Sequence, residues 1–129
     1  MINAQKKGKD YEREWANQIN SYFKKICGAK FERTRMPESW QRATSGDIVC
    51  SKKWICSKVT DCRLIKEHFE CKHRTNMSLK SAWKKAIDDA GDNNPVLVFK
   101  FTNDVSGIIL TQEEYLQLKY NEMEFLKNY

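Results

Sequence analysis

The chain has 129 residues, 40% of them hydrophobic and 31% charged, with a net charge of +6. That length fits a single domain spanning residues 1–129 around one core, and it leaves no room for a separate regulatory domain. No apolar run approaches the roughly 20 residues needed to cross a bilayer, and the polar start Met1–Asp10 lacks the apolar centre of a signal peptide, so an intracellular protein with no membrane partner is expected. Five cysteines without a Cys-x-x-Cys pair argue against a disulfide framework and leave reduced, partly buried thiols as the expectation.

A short basic lead, Lys6 to Lys9, precedes a helix predicted over about Asp10 to Cys27. Tyr11, Trp15, Ile19, Tyr22, Phe23 and Ile26 recur there at helical spacing, and Gly28 is a natural stop. Ala29–Thr34 reads as a strand, Arg35–Gly46 as a polar loop, and Asp47–Cys50 as a short strand. Ser51–Asp61 is compatible with a hairpin or a packed loop. Leu64–Lys72 reads as a strand with Phe69 and Cys71 on one face and Glu70 and Lys72 on the other. Ser78 can cap a helix over Leu79 to Ala90, whose apolar stripe is Leu79, Ala82, Trp83, Ala86, Ile87 and Ala90. Gly91–Asn94 ends it, Val96–Phe101 and Gly107–Leu110 read as strands, and Thr111-Gln-Glu-Glu114 is a capping box opening a C-terminal helix. This order predicts an α/β domain with a central mixed β-sheet flanked by helices, plus a C-terminal helix.

Chemistry-bearing residues concentrate in three places. Glu70 and Lys72, two apart on a strand, point the same way. A carboxylate beside an ammonium suits metal-assisted hydrolysis, although an exposed strand face often carries such a pair for no chemical reason. Asp47 enters the apolar segment Ile48-Val49-Cys50, where an acid is disfavoured unless something holds it. An Asp and a Glu on neighbouring strands can share a hard cation, with the Cys71 backbone carbonyl as a further oxygen. On the first helix, at about 100° per residue, the apolar stripe centres near 60° from Tyr11. Glu12 falls at roughly 100°, inside the stripe, and Glu14 at roughly 300°, outside it. A core-facing Glu12 needs a cation, either a metal or a neighbouring Lys or Arg.

Gly46-Asp47-Ile48-Val49 followed by Phe69-Glu70-Cys71-Lys72 resembles the core of the PD-(D/E)XK nucleases. The opening Lys7-Gly8-Lys9-Asp10-Tyr11-Glu12 resembles that of archaeal and phage Holliday-junction resolvases, whose first helix carries Lys-Gly-x-x-x-Glu. Arg35-x-Pro37-x-Ser39-Trp40 and the segment from Trp83 to Pro95-Val-Leu-Val-Phe-Lys100 are similar to small phage nucleases of this group, and the likeness runs to about Leu110. The chain departs from the pattern in having Ser45-Gly46 where a Pro precedes the Asp, in a long interval between Asp47 and Glu70, and in Lys85 where related phage sequences often carry Gln.

The resemblance implies a restriction-endonuclease-like three-layer core and a Mg²⁺-dependent endonuclease, with Mn²⁺ as a substitute. Asp47 and Glu70 would hold one or two ions, Glu12 a second ion or its water, and Lys72 the attacking water. The products would be a 5′-phosphate and a 3′-hydroxyl. Lys7, Lys9, Arg33, Arg35, Arg42, Ser45 and Lys85 are candidate DNA contacts, joined by Lys6, Lys80 and Lys84, with Trp40 placed to stack at a branch point or to pack its own loop. The +6 charge suits such a polyanion. A four-way DNA junction has two-fold symmetry, so a homodimer is expected, and the apolar residues spread around the C-terminal helix could pack on the domain and on a partner. Two other readings stand beside the resolvase: the same chemistry on another substrate, as in a nicking or replication-linked nuclease, and a non-catalytic nucleic-acid-binding protein stabilised by zinc through some of Cys56, Cys62, His68, Cys71 and His73.

Overall fold

The computed structural model of the chain describes residues 4–23, 30–33, 48–50 and 63–128. Its elements are helix α1 (Ala4–Phe23), strands β1 (Phe31–Arg33), β2 (Ile48–Cys50) and β3 (Glu67–Arg74), helix α2 (Leu79–Ala90), strands β4 (Asn94–Phe101) and β5 (Ser106–Ile109), and helix α3 (Gln112–Lys127). β3 and β4 run parallel, with Glu70 opposite Leu97 and Cys71 opposite Val98, and β5 adds antiparallel to β4. β1 and β2 form a separate antiparallel pair, Phe31 facing Cys50, that touches the large sheet through β2 and β3.

A parallel pair requires a crossover, and α2 supplies it between β3 and β4. The alternation of side chains along β3 divides the domain into layers. Phe69 and Cys71 join Val96 and Val98 of β4 beneath Tyr11, Ala16 and Ile19 of α1, and Phe31 and Ile48 close the same cluster. Trp15 and Phe31 meet Phe69 edge-on, with ring centroids 5.9 and 6.3 Å apart. Even-numbered β3 residues and Leu97 face the other way, toward α2, whose buried residues are Ala86 and Ala90. Small side chains there let the helix sit close to the sheet. The result is the α/β sandwich with a mixed sheet that the sequence predicts, in a restriction-endonuclease-like arrangement with an added C-terminal helix.

Several boundaries differ from the predicted ones. α1 begins at Ala4, so the basic lead belongs to the helix; Ala, Gln and Lys are all good helix formers. Within its predicted apolar stripe, Tyr22 is 80% exposed and Phe23 also faces outward. The sheet contact of α1 ends one turn earlier, at Ile19 and Asn20, where the Asn20 side chain grips both the N–H and the carbonyl of Phe31 at 2.8 Å. Residues 63–66 form a 3₁₀ turn rather than strand, and β3 continues past Lys72 to Arg74 because β4 pairs with it to Phe101. α2 has the predicted bounds: Ser78 accepts from the Ser81 N–H at one end, and Gly91 ends the helix at φ 57°, a conformation that favours glycine. Ile87, placed on the apolar stripe by spacing, lies on its outer flank and is exposed.

α3 departs most from expectation. Thr111 caps it as predicted, accepting from the Glu114 N–H, but none of its residues is buried, so its apolar side chains do not pack on the domain. Its moorings are polar. Glu114 faces Glu67 at the start of β3, and burial together with that neighbouring carboxyl pushes the Glu67 carboxyl up to about 9. The predicted helix end 24–27, loop Arg35–Gly46 and segment Ser51–Asp61 lie outside the described residues. Among the described residues no helix is long and apolar enough to cross a membrane.

Candidate active site

Two elements converge on one buried carboxylate. Glu70, in the middle of β3, is 3% exposed. Its Oε1 lies 3.5 Å from Lys72 Nζ on the same strand face and 3.3 Å from Lys85 Nζ on α2. Its Oε2 lies 3.5 Å from Nε2 of His68, two residues earlier on that face. Burial alone would push this carboxyl upward. The close imidazole and the charges of Lys85 and Lys72 outweigh it and hold Glu70 at about 2, ionised at any working pH.

Glu12 comes to the same place from α1. It is half-buried whereas Glu14 is exposed, as the angular position of each on the helix requires. Arg33 of β1 binds it, Nε to Oε2 at 2.7 Å. Burial nevertheless holds the Glu12 carboxyl above the usual range, Arg33 opposes that, and the charge of Glu70 adds to it while Lys72 subtracts. Glu12, Glu70 and Lys72 therefore share one electrostatic neighbourhood. Of the two alternatives left by the sequence, the arginine partner of Glu12 is present, as Arg33.

Asp47 lies outside the described residues, as do Arg35, Trp40, Arg42 and Ser45. Its neighbour Ile48 is fully buried in β2, which abuts β3. Among the described residues no three His, Cys, Asp or Glu side chains are grouped to hold a metal. Glu70 and Glu12 offer two oxygen donors, one of them buried and permanently ionised, and this donor chemistry suits a hard divalent cation once a third carboxylate joins. The zinc set fares worse. His68 shares the α2 face with Glu70, whereas the Cys71 side chain is buried on the α1 face and His73 packs its ring against Tyr11, centroids 5.4 Å apart. Cys56 and Cys62 lie outside the described residues.

Positive charge gathers near the carboxyl ends of β3 and β4. Lys7, from the first turns of α1, bonds Thr102 just after β4. Partial burial and the charges of Lys7 and Lys100 depress the His73 imidazole. Lys9 is exposed on α1, and Lys80 and Lys84 are exposed on α2. Arg33 is engaged by Glu12.

Sequence reading named His68 only as a possible zinc ligand and Lys85 only as a candidate DNA contact. For His68 the available signal was parity, since 68, 70 and 72 fall on one strand face. No local signal ties Lys85 to Glu70, because a helix and a strand meet there only through the fold.

No curated protein and no solved structure matches the chain. One family model does, that described as "Phage putative PDDEXK endonuclease", over residues 3–128. The match extends beyond the sequence resemblance, which ran to about Leu110, and takes in α3. It covers every element of the fold and all the residues gathered around Glu70, and the chain belongs to that family of PD-(D/E)XK endonucleases.

Proposed function

We propose that the chain is a Mg²⁺-dependent DNA endonuclease of a single domain that cuts branched DNA, four-way junctions foremost, as a homodimer. The observation that carries this reading is the buried Glu70 carboxylate with Lys72 and Lys85 against one of its oxygens. Glu12 belongs to the Lys7-Gly8-x-x-x-Glu12 pattern that resembles junction resolvases, and the charge of Glu70 is among those that act on its carboxyl.

In this reading Glu70, Asp47 and Glu12 hold the divalent ion, with the Cys71 carbonyl as a further oxygen. The bound ion would polarise the scissile phosphate and lower the pKa of its water. Lys72, 19% exposed and 3.5 Å from Glu70, is fixed at the carboxylate and orients the nucleophilic water. Lys85, 42% exposed, can reach outward to a phosphate oxygen while its other contact remains Glu70. Lys7 and Lys9, together with Lys80 and Lys84, bind the DNA backbone, which gives affinity without sequence choice. The segment carrying Arg35, Trp40, Arg42 and Ser45 leads directly into Asp47 in the sequence, so in this reading it meets DNA beside the cut.

The test is cleavage of labelled four-way junction, fork, nicked duplex and plain duplex with Mg²⁺, beside Asp47→Asn and Lys72→Ala. Paired symmetric cuts in the junction, lost in both variants while binding persists, are expected. Equal cutting of all four substrates would retain the nuclease and remove the junction preference. No cutting with Mg²⁺ or Mn²⁺ would favour a non-catalytic nucleic-acid-binding protein.

A further inference from the structure

His68 is 1% exposed, and neither of its ring nitrogens has a hydrogen-bond partner among the described residues. Its cross-strand neighbour on β4 is Pro95, which has no N–H. The α2 face above it buries Ala86 and Ala90, which bring no polar side-chain atom. The polar atom within reach is Glu70 Oε2, 3.5 Å from His68 Nε2. A polar ring kept so deep beside the buried carboxylate of the site has a role tied to that carboxylate. The 3.5 Å separation is slightly long for a hydrogen bond, and a shift of a few tenths of an ångström closes it.

We infer that His68 is a positioning residue that fixes the Glu70 carboxylate, occupying Oε2 so that Oε1 is presented to the lysines and to the divalent ion. The two oxygens of Glu70 are thus given different tasks: Oε1 faces Lys72 and Lys85, and Oε2 faces the imidazole. Without His68 the carboxylate is free to take other angles about its last bond, which weakens the ion's site without touching the ion. The inference rests on the reading of Glu70 as a metal ligand.

The chain has two histidines, so ¹⁵N-histidine labelling gives two imidazoles, and His73→Asn assigns them. Titration with Mg²⁺, without DNA, is expected to shift the His68 signals, and Glu70→Gln to abolish the shift. Calorimetric titration with Mn²⁺ is expected to show His68→Leu weakened by roughly tenfold or more, the usual effect of losing a group that supports a metal ligand. His68→Gln, which keeps an N–H near the Nε2 position, should stay within about threefold. Unchanged Mn²⁺ affinity in a folded His68→Leu protein would overturn the inference. If that variant does not fold, the labelled wild-type chain decides: His68 signals that ignore Mg²⁺ overturn it. Failure of the underlying reading looks different, since Glu70→Gln, with His68 intact, would then bind Mn²⁺ as tightly as the native chain.

Discussion

Lys85 Nζ lies 3.3 Å from Glu70 Oε1, nearer than Lys72 Nζ, which approaches the same oxygen at 3.5 Å. A helix and a strand thus bring two cations to one carboxylate oxygen, but the two are not equivalent. Lys72 is enclosed, whereas Lys85 is open to solvent and lies 4.0 Å from Asp89 one turn further along α2. Substitution should separate them. Lys72→Ala is expected to lower the single-turnover rate by about 10²–10⁴-fold, the range for a group that handles the attacking water. Lys85→Ala should cost roughly tenfold and act mainly on DNA affinity, with a shallower salt dependence. Single-turnover cleavage and binding at several salt concentrations measure both.

Arg33 sets how readily Glu12 ionises. Burial raises the Glu12 carboxyl, and the guanidinium 2.7 Å away opposes that rise. Removing Arg33 therefore raises the Glu12 pKa further, and a step that needs the carboxylate fails at higher pH than before. For Arg33→Ala the acid limb of the kcat/KM profile should move upward, so that the loss is greatest at the acid end and shrinks as pH rises. A uniform loss at every pH would assign Arg33 to DNA binding alone.

Glu67 and Glu114 moor α3 through a carboxyl pair, with the Glu67 carboxyl raised to about 9 by burial and by Glu114. The folded protein keeps this proton where the unfolded chain loses it near the ordinary carboxylate value of 4.5. The contribution to stability is whole below that value and declines as pH rises toward about 9. Glu67→Gln, which mimics the protonated form, should raise Tm by a few degrees at pH 8 and leave it nearly unchanged at pH 4.5. Thermal melts at the two pH values, followed by circular dichroism, measure this.

Helix α3 leaves Leu116, Tyr120, Met123 and Leu126 exposed, and its contacts with the domain bury none of its residues. If this surface forms the proposed homodimer, light scattering should give about twice the 15.2 kDa chain mass. Leu116→Glu with Met123→Glu should then yield a monomer that retains its fold and Mn²⁺ binding but nicks a junction without pairing the cuts. A monomeric native chain at micromolar concentration would remove the dimer and with it the account of symmetric cutting.

What the sequence determined by itself is local or periodic. The period of 3.6 placed Glu12 on the inner side of α1 and Glu14 outside it, and alternation along β3 put Glu70 and Lys72 together, opposite Phe69 and Cys71. Caps at Ser78 and Thr111 set helix starts at Leu79 and Gln112, since a capping side chain answers to its own backbone neighbours. Tertiary structure decided what depends on partners distant in sequence. The same alternation that predicted a Glu70 side chain away from the core could not foresee that α2 would cover that face and bury it at 3% exposure, or that Lys85 would arrive beside it. Nor could it foresee Arg33 at Glu12, or an apolar α3 that buries none of its residues on the domain. These are contacts between elements 15 or more residues apart in the chain, whose meeting is fixed by sheet register and helix packing and leaves no trace in local spacing.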